Sequence, residues 1–298
     1  MVDDIRNRKR LPEWIRKDLR HSRDVMSLKK ELREHSVHTV CEEAKCPNLS
    51  ECFGKKKTAT FLIMGDICTR NCTFCAVEKN SIPGSLDRNE PDRIAEMVSA
   101  IGLEHAVITS VTRDDLPDGG SGQFAQTIKA VRKKSDCTIE VLTPDFGGSA
   151  DQRIKVSEER PDIFNHNVET VRELYYKIRP MADYRRSLDF LMSVKKDNPN
   201  VVSKSGIMVG LGETDEQLKY LLYDLSEAGV DILTCGQYLR PSEKNIPVFS
   251  YLDPEWFDKF AVTAKKIGIK YVFASPFTRS SYNAAEVMKM IKGLKDND

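Results

Sequence analysis

Six of the chain's eight cysteines fall between positions 41 and 75, as two triplets of different spacing: Cys41, Cys46 and Cys52, then Cys68, Cys72 and Cys75. The second triplet reads CxxxCxxC. Three thiolates at that spacing can hold three corners of a cubane four-iron four-sulfur cluster, leaving the fourth iron without a protein ligand and free to bind a substrate or cofactor. Zinc is one alternative, yet a structural zinc site wants a closed set of four ligands, and neither triplet carries a local fourth cysteine or histidine. Disulfides are the other. They suit small secreted domains, whereas this chain has 298 residues, opens on the charged MVDDIRNRKR and contains no apolar run long enough to span a bilayer. The expectation is reduced thiols in a cytoplasmic protein with no membrane segment.

The balance of charge narrows the partners. Forty-six basic side chains stand against 45 acidic ones, a formal net charge of +1, so nothing advertises nucleic acid. With 40% hydrophobic residues and no repeat or low-complexity tract, the length suits one large α/β domain with appendages or two modest domains.

Residues 1–40 read as a charged, helix-like arm anchored by scattered apolar residues, and CEEAKCPNLSEC as a loop punctuated by Pro47 and Asn48. From there on, apolar β-rich runs alternate with helical stretches. Strands are expected at 58–64, 105–110, 138–143, 162–168, 204–210, 231–238 and 270–275, and helices near 91–101, 122–134, 184–197, 214–228 and 254–267. Pro91 with Asp92, Thr214 with Glu216 and Asp253 with Pro254 are the clearest helix starts. Alternating βα units with right-handed crossovers imply a parallel sheet, and seven strands imply a partial or full TIM-like (β/α) barrel. The expected division is an N-terminal extension over 1–56, a barrel core over 57–275 and a C-terminal extension over 276–298, the two extensions covering the barrel mouth.

Chemistry in such barrels sits on loops leaving the C-terminal ends of the strands. There the sequence places the cysteines, then Thr109, Ser110 and Thr112 to Asp115, then Thr143 to Asp145, then Asn165, His166, Asn167 and Glu169, then GLGET and GQYLRPS. Each residue alone has a plain reading as a cap or a turn. Their gathering on one rim points to a site.

CTRNCTFC after the first barrel strand, with Phe74 before its last cysteine, resembles the signature of radical S-adenosylmethionine enzymes. GIMVGLGE (Gly206 to Glu213) is similar to that family's GxIxGxxE stretch, with Met208 as an apolar contact for adenine. The resemblance implies a cofactor chelated to the open iron through its amino and carboxylate groups and cleaved by one electron to a 5′-deoxyadenosyl radical. The protein's share is positioning and exclusion of water and oxygen. Phe74, Asn167, Glu169 and Met208 are the expected S-adenosylmethionine contacts. The second strand ends in TSVTRDD where the wider family has GGE, which leaves open the groups that grip the methionine amine. Arg113 and Asp114 are candidates for that role or for guiding the substrate.

CxxxxCxxxxxC directly upstream resembles the auxiliary-cluster motif of the lipoyl synthase family, as do TSVTRDDLPDGG, RPSEKN and RSSY (Arg279 to Tyr282). This second resemblance spans nearly the whole chain. It implies two four-iron four-sulfur clusters, one on Cys68, Cys72 and Cys75, the other on Cys41, Cys46, Cys52 and Ser281. A hard serine oxygen on a soft cluster is a replaceable ligand, which suits a cluster that is dismantled as sulfur donor. The implied reaction inserts two sulfurs, at carbons six and eight, into an octanoyl chain on a lysine of a carrier domain. The implied partners are the 2-oxoacid dehydrogenase E2 subunit and the glycine cleavage H protein, an electron donor such as flavodoxin or ferredoxin, and a cluster-repair protein. Rival readings are sulfur insertion into a biotin precursor or a tRNA base, or a non-catalytic iron-sulfur or zinc carrier. Cys137 and Cys235 read as core residues, and the run Lys55 to Lys57 as a solvated face or a dock for an acidic carrier.

Overall fold

The computed structural model describes residues 12–15, 30, 32, 34–35, 37–43, 48, 51–52, 57–281, 286, 288–290 and 293. Most of the charged arm, together with Cys46, Lys55 and Lys56, lies outside the described residues.

One eight-stranded sheet organises the chain. Its strands are β1 (His38–Thr39), β2 (Thr58–Ile63), β3 (His105–Ser110), β4 (Thr138–Leu142), β5 (Ile163–Asn165), β6 (Val202–Val209), β7 (Ile232–Gln237) and β8 (Tyr271–Ser275), in that spatial order. The seven from β2 to β8 are mutually parallel, and β1 adds antiparallel to β2. The described first and last strands do not pair, so the sheet is a partial barrel, the open member of the two expected forms. All seven parallel strands lie where the apolar runs place them.

Helices α1 (Glu90–Ile101), α2 (Ser121–Lys134), α3 (Ala150–Ser157), α4 (Tyr175–Ile178), α5 (Tyr184–Asp197), α6 (Asp215–Glu227) and α7 (Pro254–Ile267) cross between them. Their starts follow local chemistry. Asp183 accepts from the Arg186 amide and Asp253 from the Trp256 amide, while Pro91 and Pro254 occupy first-turn positions that need no donor. At α6 the Thr214 hydroxyl accepts from the Gln217 amide, and the Gln217 side chain returns the bond. The capping box thus closes on Gln217, because Glu216 stands one position early. Helix α3 escaped the sequence reading because it buries only Arg153 and Val156, too little for a periodic signal.

The two faces of the sheet differ in kind. Ala106, Ile108, Ile139, Val141 and Phe164 pack with Phe124, Ile128 and Phe190 of the helices, and Cys137 joins this core. A second core, containing Cys235, lies under α6 and α7. The opposite, inward face carries a buried polar layer. The Lys204 ammonium meets both Glu140 oxygens at 3.0 and 2.8 Å, Asn165 donates to Glu140, and the His105 ring lies 3.5 Å away. Below it Ile163, Val202, Ile232 and Met288 close the interior with an apolar plug. Among the described residues the interior is thus apolar at this end and polar further along.

Candidate active site

The loop after β2 carries Cys68, Cys72 and Cys75, all half-buried and unbridged. Several independent contacts fix it. Thr69 donates through its amide and its hydroxyl to the Thr112 carbonyl, and the Thr112 amide lies 3.3 Å from the Cys68 sulfur. The Arg70 guanidinium, buried with only 6% of its side chain exposed, grips Asp114 through two nitrogens and Asp145 through one. On the far side the Asn245 amide donates to the carbonyls of Cys75 (2.8 Å) and Thr73 (3.3 Å), and Thr73 bonds Ile178 and Lys177 of α4. TRDD and RPSEKN therefore brace the cysteine loop: Asp114 is engaged by Arg70, and Arg113 by Asp115 and the Gly84 carbonyl.

Electrostatics around the thiols suit metal-bound thiolates. Burial pushes Cys75 up to about 11 and also raises Cys72. Cys68 further raises Cys72, and both raise Cys75, while Arg179 and Arg70 pull Cys72 down. A metal ion supplies the charge that deprotonates such thiols. Among the described residues no three His, Cys, Asp or Glu side chains converge to hold one ion. The corners of a cubane are separate irons, so its three thiolate ligands need not converge on one point. Two buried guanidiniums beside the loop complement a cluster that is anionic once three thiolates bind.

The four expected cofactor contacts fall together beside this loop. Phe74 and Met208 pack on one small apolar patch with Ile178, Leu211 and Tyr238. Asn167 donates to Glu169 at 3.1 Å. Glu169 occupies the left-handed region (φ 72°), costly for a residue with a Cβ, and is held there by backbone bonds to Gly206 and from Met208. Burial raises its carboxyl, and Arg179 and Asn167 oppose the rise. Gly206 leaves room for these side chains, since a Cβ there would stand 2.8 Å from both Asn167 Oδ1 and Thr234 Oγ1. Ser110 Oγ, Thr143 Oγ1 and Asn167 Oδ1, all at strand ends around the mouth, are buried with no hydrogen-bond partner. Polar atoms of that kind are costly unless a ligand satisfies them, so the mouth fits a polar cofactor.

Sequence reasoning missed Arg70, Arg179 and Asn245. Arg70 lies between two ligand positions of the motif, which is a signal. Arg179, whose guanidinium bonds the Asn167 and Val168 carbonyls and the Tyr175 hydroxyl, gives none.

At the upstream triplet, Cys41 is on the helical turn Val40–Glu43, Cys52 is half-buried, and Ser281 is half-buried in the turn that follows β8. One contact joins these distant segments, and another seats the C-terminal turn on the sheet. The Asn48 amide donates to the Phe277 carbonyl at 2.7 Å. The Thr278 carbonyl seats against Gly236 of β7, where a Cβ would collide with it.

A cysteine-lined loop at the open end of a parallel partial barrel defines a radical S-adenosylmethionine enzyme, and the family model of the Radical SAM superfamily matches residues 62–225. Streptococcus suis SuiB shares the fold at a TM-score of 0.57 and 10% identity, covering 85% of this chain and 53% of that one. TYW1 with a lysine-pyruvate adduct bound gives 0.54 and 16%, over 80% and 89%. A model of the N-terminal domain of lipoyl synthase matches residues 2–46. The lipoyl synthase of Caldanaerobacter subterraneus subsp. tengcongensis is 49% identical over 284 residues, 95% of this chain and 99% of the relative. That of Alkaliphilus metalliredigens is 48% identical over 290 residues, 97% and 99%. The chain belongs to the lipoyl synthase family. Among the described residues no helix is long and apolar enough to cross a membrane.

Proposed function

We propose that this enzyme inserts sulfur at carbons six and eight of an octanoyl chain amide-linked to a lysine of a lipoyl carrier domain, giving lipoyl-lysine. The reading is supported by two observations: the three thiols of the motif lie on the loop at the open mouth, and the Asn48–Phe277 bond joins the upstream cysteine segment to the turn that carries Ser281. Cys68, Cys72 and Cys75 hold one four-iron four-sulfur cluster, and Cys41, Cys46, Cys52 and Ser281 hold the other. When bound, the first cluster supplies the electron that cleaves S-adenosylmethionine to a hydrogen-abstracting radical, and the second is the source of sulfur.

The chain's own groups bind, orient and shelter. Phe74 and Met208 offer an apolar wall for the adenine, and Asn167 and Glu169 offer polar contacts to the cofactor. Arg70 and Asn245 hold the cysteine loop in place. The apolar cluster around Met288 lines the far end of the interior and disfavours water there.

The division into an extension over 1–56, a core over 57–275 and an extension over 276–298 belongs to the same reading, with both extensions serving the second cluster at the mouth. Preferred carriers are the 2-oxoacid dehydrogenase E2 subunit and the glycine cleavage H protein. Electrons come from a flavodoxin or ferredoxin, a repair protein restores the spent cluster, and the setting is the cytoplasm. Anaerobic turnover of an octanoyl-lysine peptide tests the function. Its mass should rise by two sulfurs, and replacing Cys41, Cys46 and Cys52 with alanine should abolish that gain while deoxyadenosine still forms. Product from the triple variant would refute the assignment.

A further inference from the structure

We propose that Asn48 is the positioning residue that assembles the second cluster site, holding the C-terminal turn of Ser281 against the cysteine segment before any metal binds. The inference rests on the ligand assignment proposed above.

Asn48 lies between Cys46 and Cys52, and two parts of it work in opposite directions along the chain. Its carbonyl accepts from the amides of Glu51 (3.0 Å) and Cys52 (2.9 Å), so it starts the turn that carries the last cysteine of the triplet. Its side-chain amide reaches 229 positions onward to the Phe277 carbonyl at 2.7 Å, four residues before Ser281. Asn48 is only 1% exposed, so water cannot replace that donor cheaply. A second contact seats the same segment independently. The Thr278 carbonyl, which accepts from the Arg279 guanidinium, lies against Gly236, where no side chain fits. Bringing together segments more than two hundred residues apart costs chain entropy. A weak, replaceable serine ligand is poorly suited to overcoming that cost, whereas a buried amide donor helps to do so in advance.

The test compares Asn48→Asp, which keeps the volume and removes the donor, with the wild-type chain. In the metal-free protein, amide exchange across residues 277–281 should accelerate on the order of tenfold. After anaerobic reconstitution, iron should fall from two clusters' worth towards one, and deoxyadenosine formation should persist while thiolated peptide is lost. Gly236→Ala, which displaces the Thr278 carbonyl by another route, should give the same pattern and guards against a local folding defect at Asn48. Wild-type exchange rates with a full complement of iron in Asn48→Asp would overturn the proposal. Failure of the sulfur-insertion reading looks different: the wild-type enzyme itself would yield no thiolated peptide, whatever the exchange data show.

Discussion

Arg70 and Asp145 are 75 positions apart in sequence, and their guanidinium nitrogen and carboxylate oxygen are 2.7 Å apart. The second Asp145 oxygen accepts from Arg186 of α5 at 2.7 Å, and Arg70 also forks onto Asp114. The cysteine loop is thereby anchored to the ends of two neighbouring strands and to a helix, through charge-assisted bonds away from bulk water.

Replacing Arg70 with methionine leaves the fully buried Asp145 with one guanidinium instead of two. Unfolding of the metal-free protein in urea should reveal a loss of about 3 kcal/mol. Lysine at the same position should recover only part of it, since it restores the charge without the fork.

Asp145 and His166 both contribute to the acid response. Burial opposes the ionisation of Asp145, but Arg70 and Arg186 outweigh it and hold the carboxyl well below the usual range. Burial, aided by Arg179, also holds the His166 imidazole down to about 4 from 6.5. Both folded values are depressed, so the unfolded chain takes up protons first and stability falls with pH. His166 should remove about 3 kcal/mol between pH 6.5 and 4, and the Asp145 contribution, complete above about pH 4, should be lost below it. Denaturation across pH should find the first slope flattened in His166→Asn.

Breaking the interior ion pair should be worse than removing it. Lys204→Met alone leaves the Glu140 carboxylate buried with only Asn165 and His105 nearby, at a cost of about 3 to 5 kcal/mol. Adding Glu140→Leu should return much of that stability, a coupling readable in a double-mutant cycle.

Gly206→Ala pushes a methyl group against Asn167 and Thr234. If Asn167 contacts S-adenosylmethionine, equilibrium binding of that cofactor should weaken about tenfold, or about 1.4 kcal/mol, with little change in thermal stability. Unchanged affinity would remove Asn167 from the cofactor site.

Much of this architecture was legible because its signals are local. Each parallel strand is a short apolar run bounded by helix caps, and the three thiols that share a loop also share a motif. Arg179 and the Glu140, Lys204 and His105 layer were not legible, because each acquires its role from strands or helices far away in sequence. His105 reads as an ordinary core histidine until Glu140 appears beside it. The assignment of Cys52 and Ser281 to one site comes from resemblance, and the Asn48 contact with Phe277, which joins their two segments, is a relation that no spacing rule could supply.

The most direct test of the central claim follows the sulfur itself. Both clusters are reconstituted with ³⁴S-sulfide, free sulfide is removed, and one round of turnover on an octanoyl-lysine peptide is read by mass spectrometry. The account predicts two ³⁴S atoms in the product, with loss of the second cluster's spectroscopic signal. Product carrying sulfur of natural abundance, or product formed with that cluster intact, would contradict it.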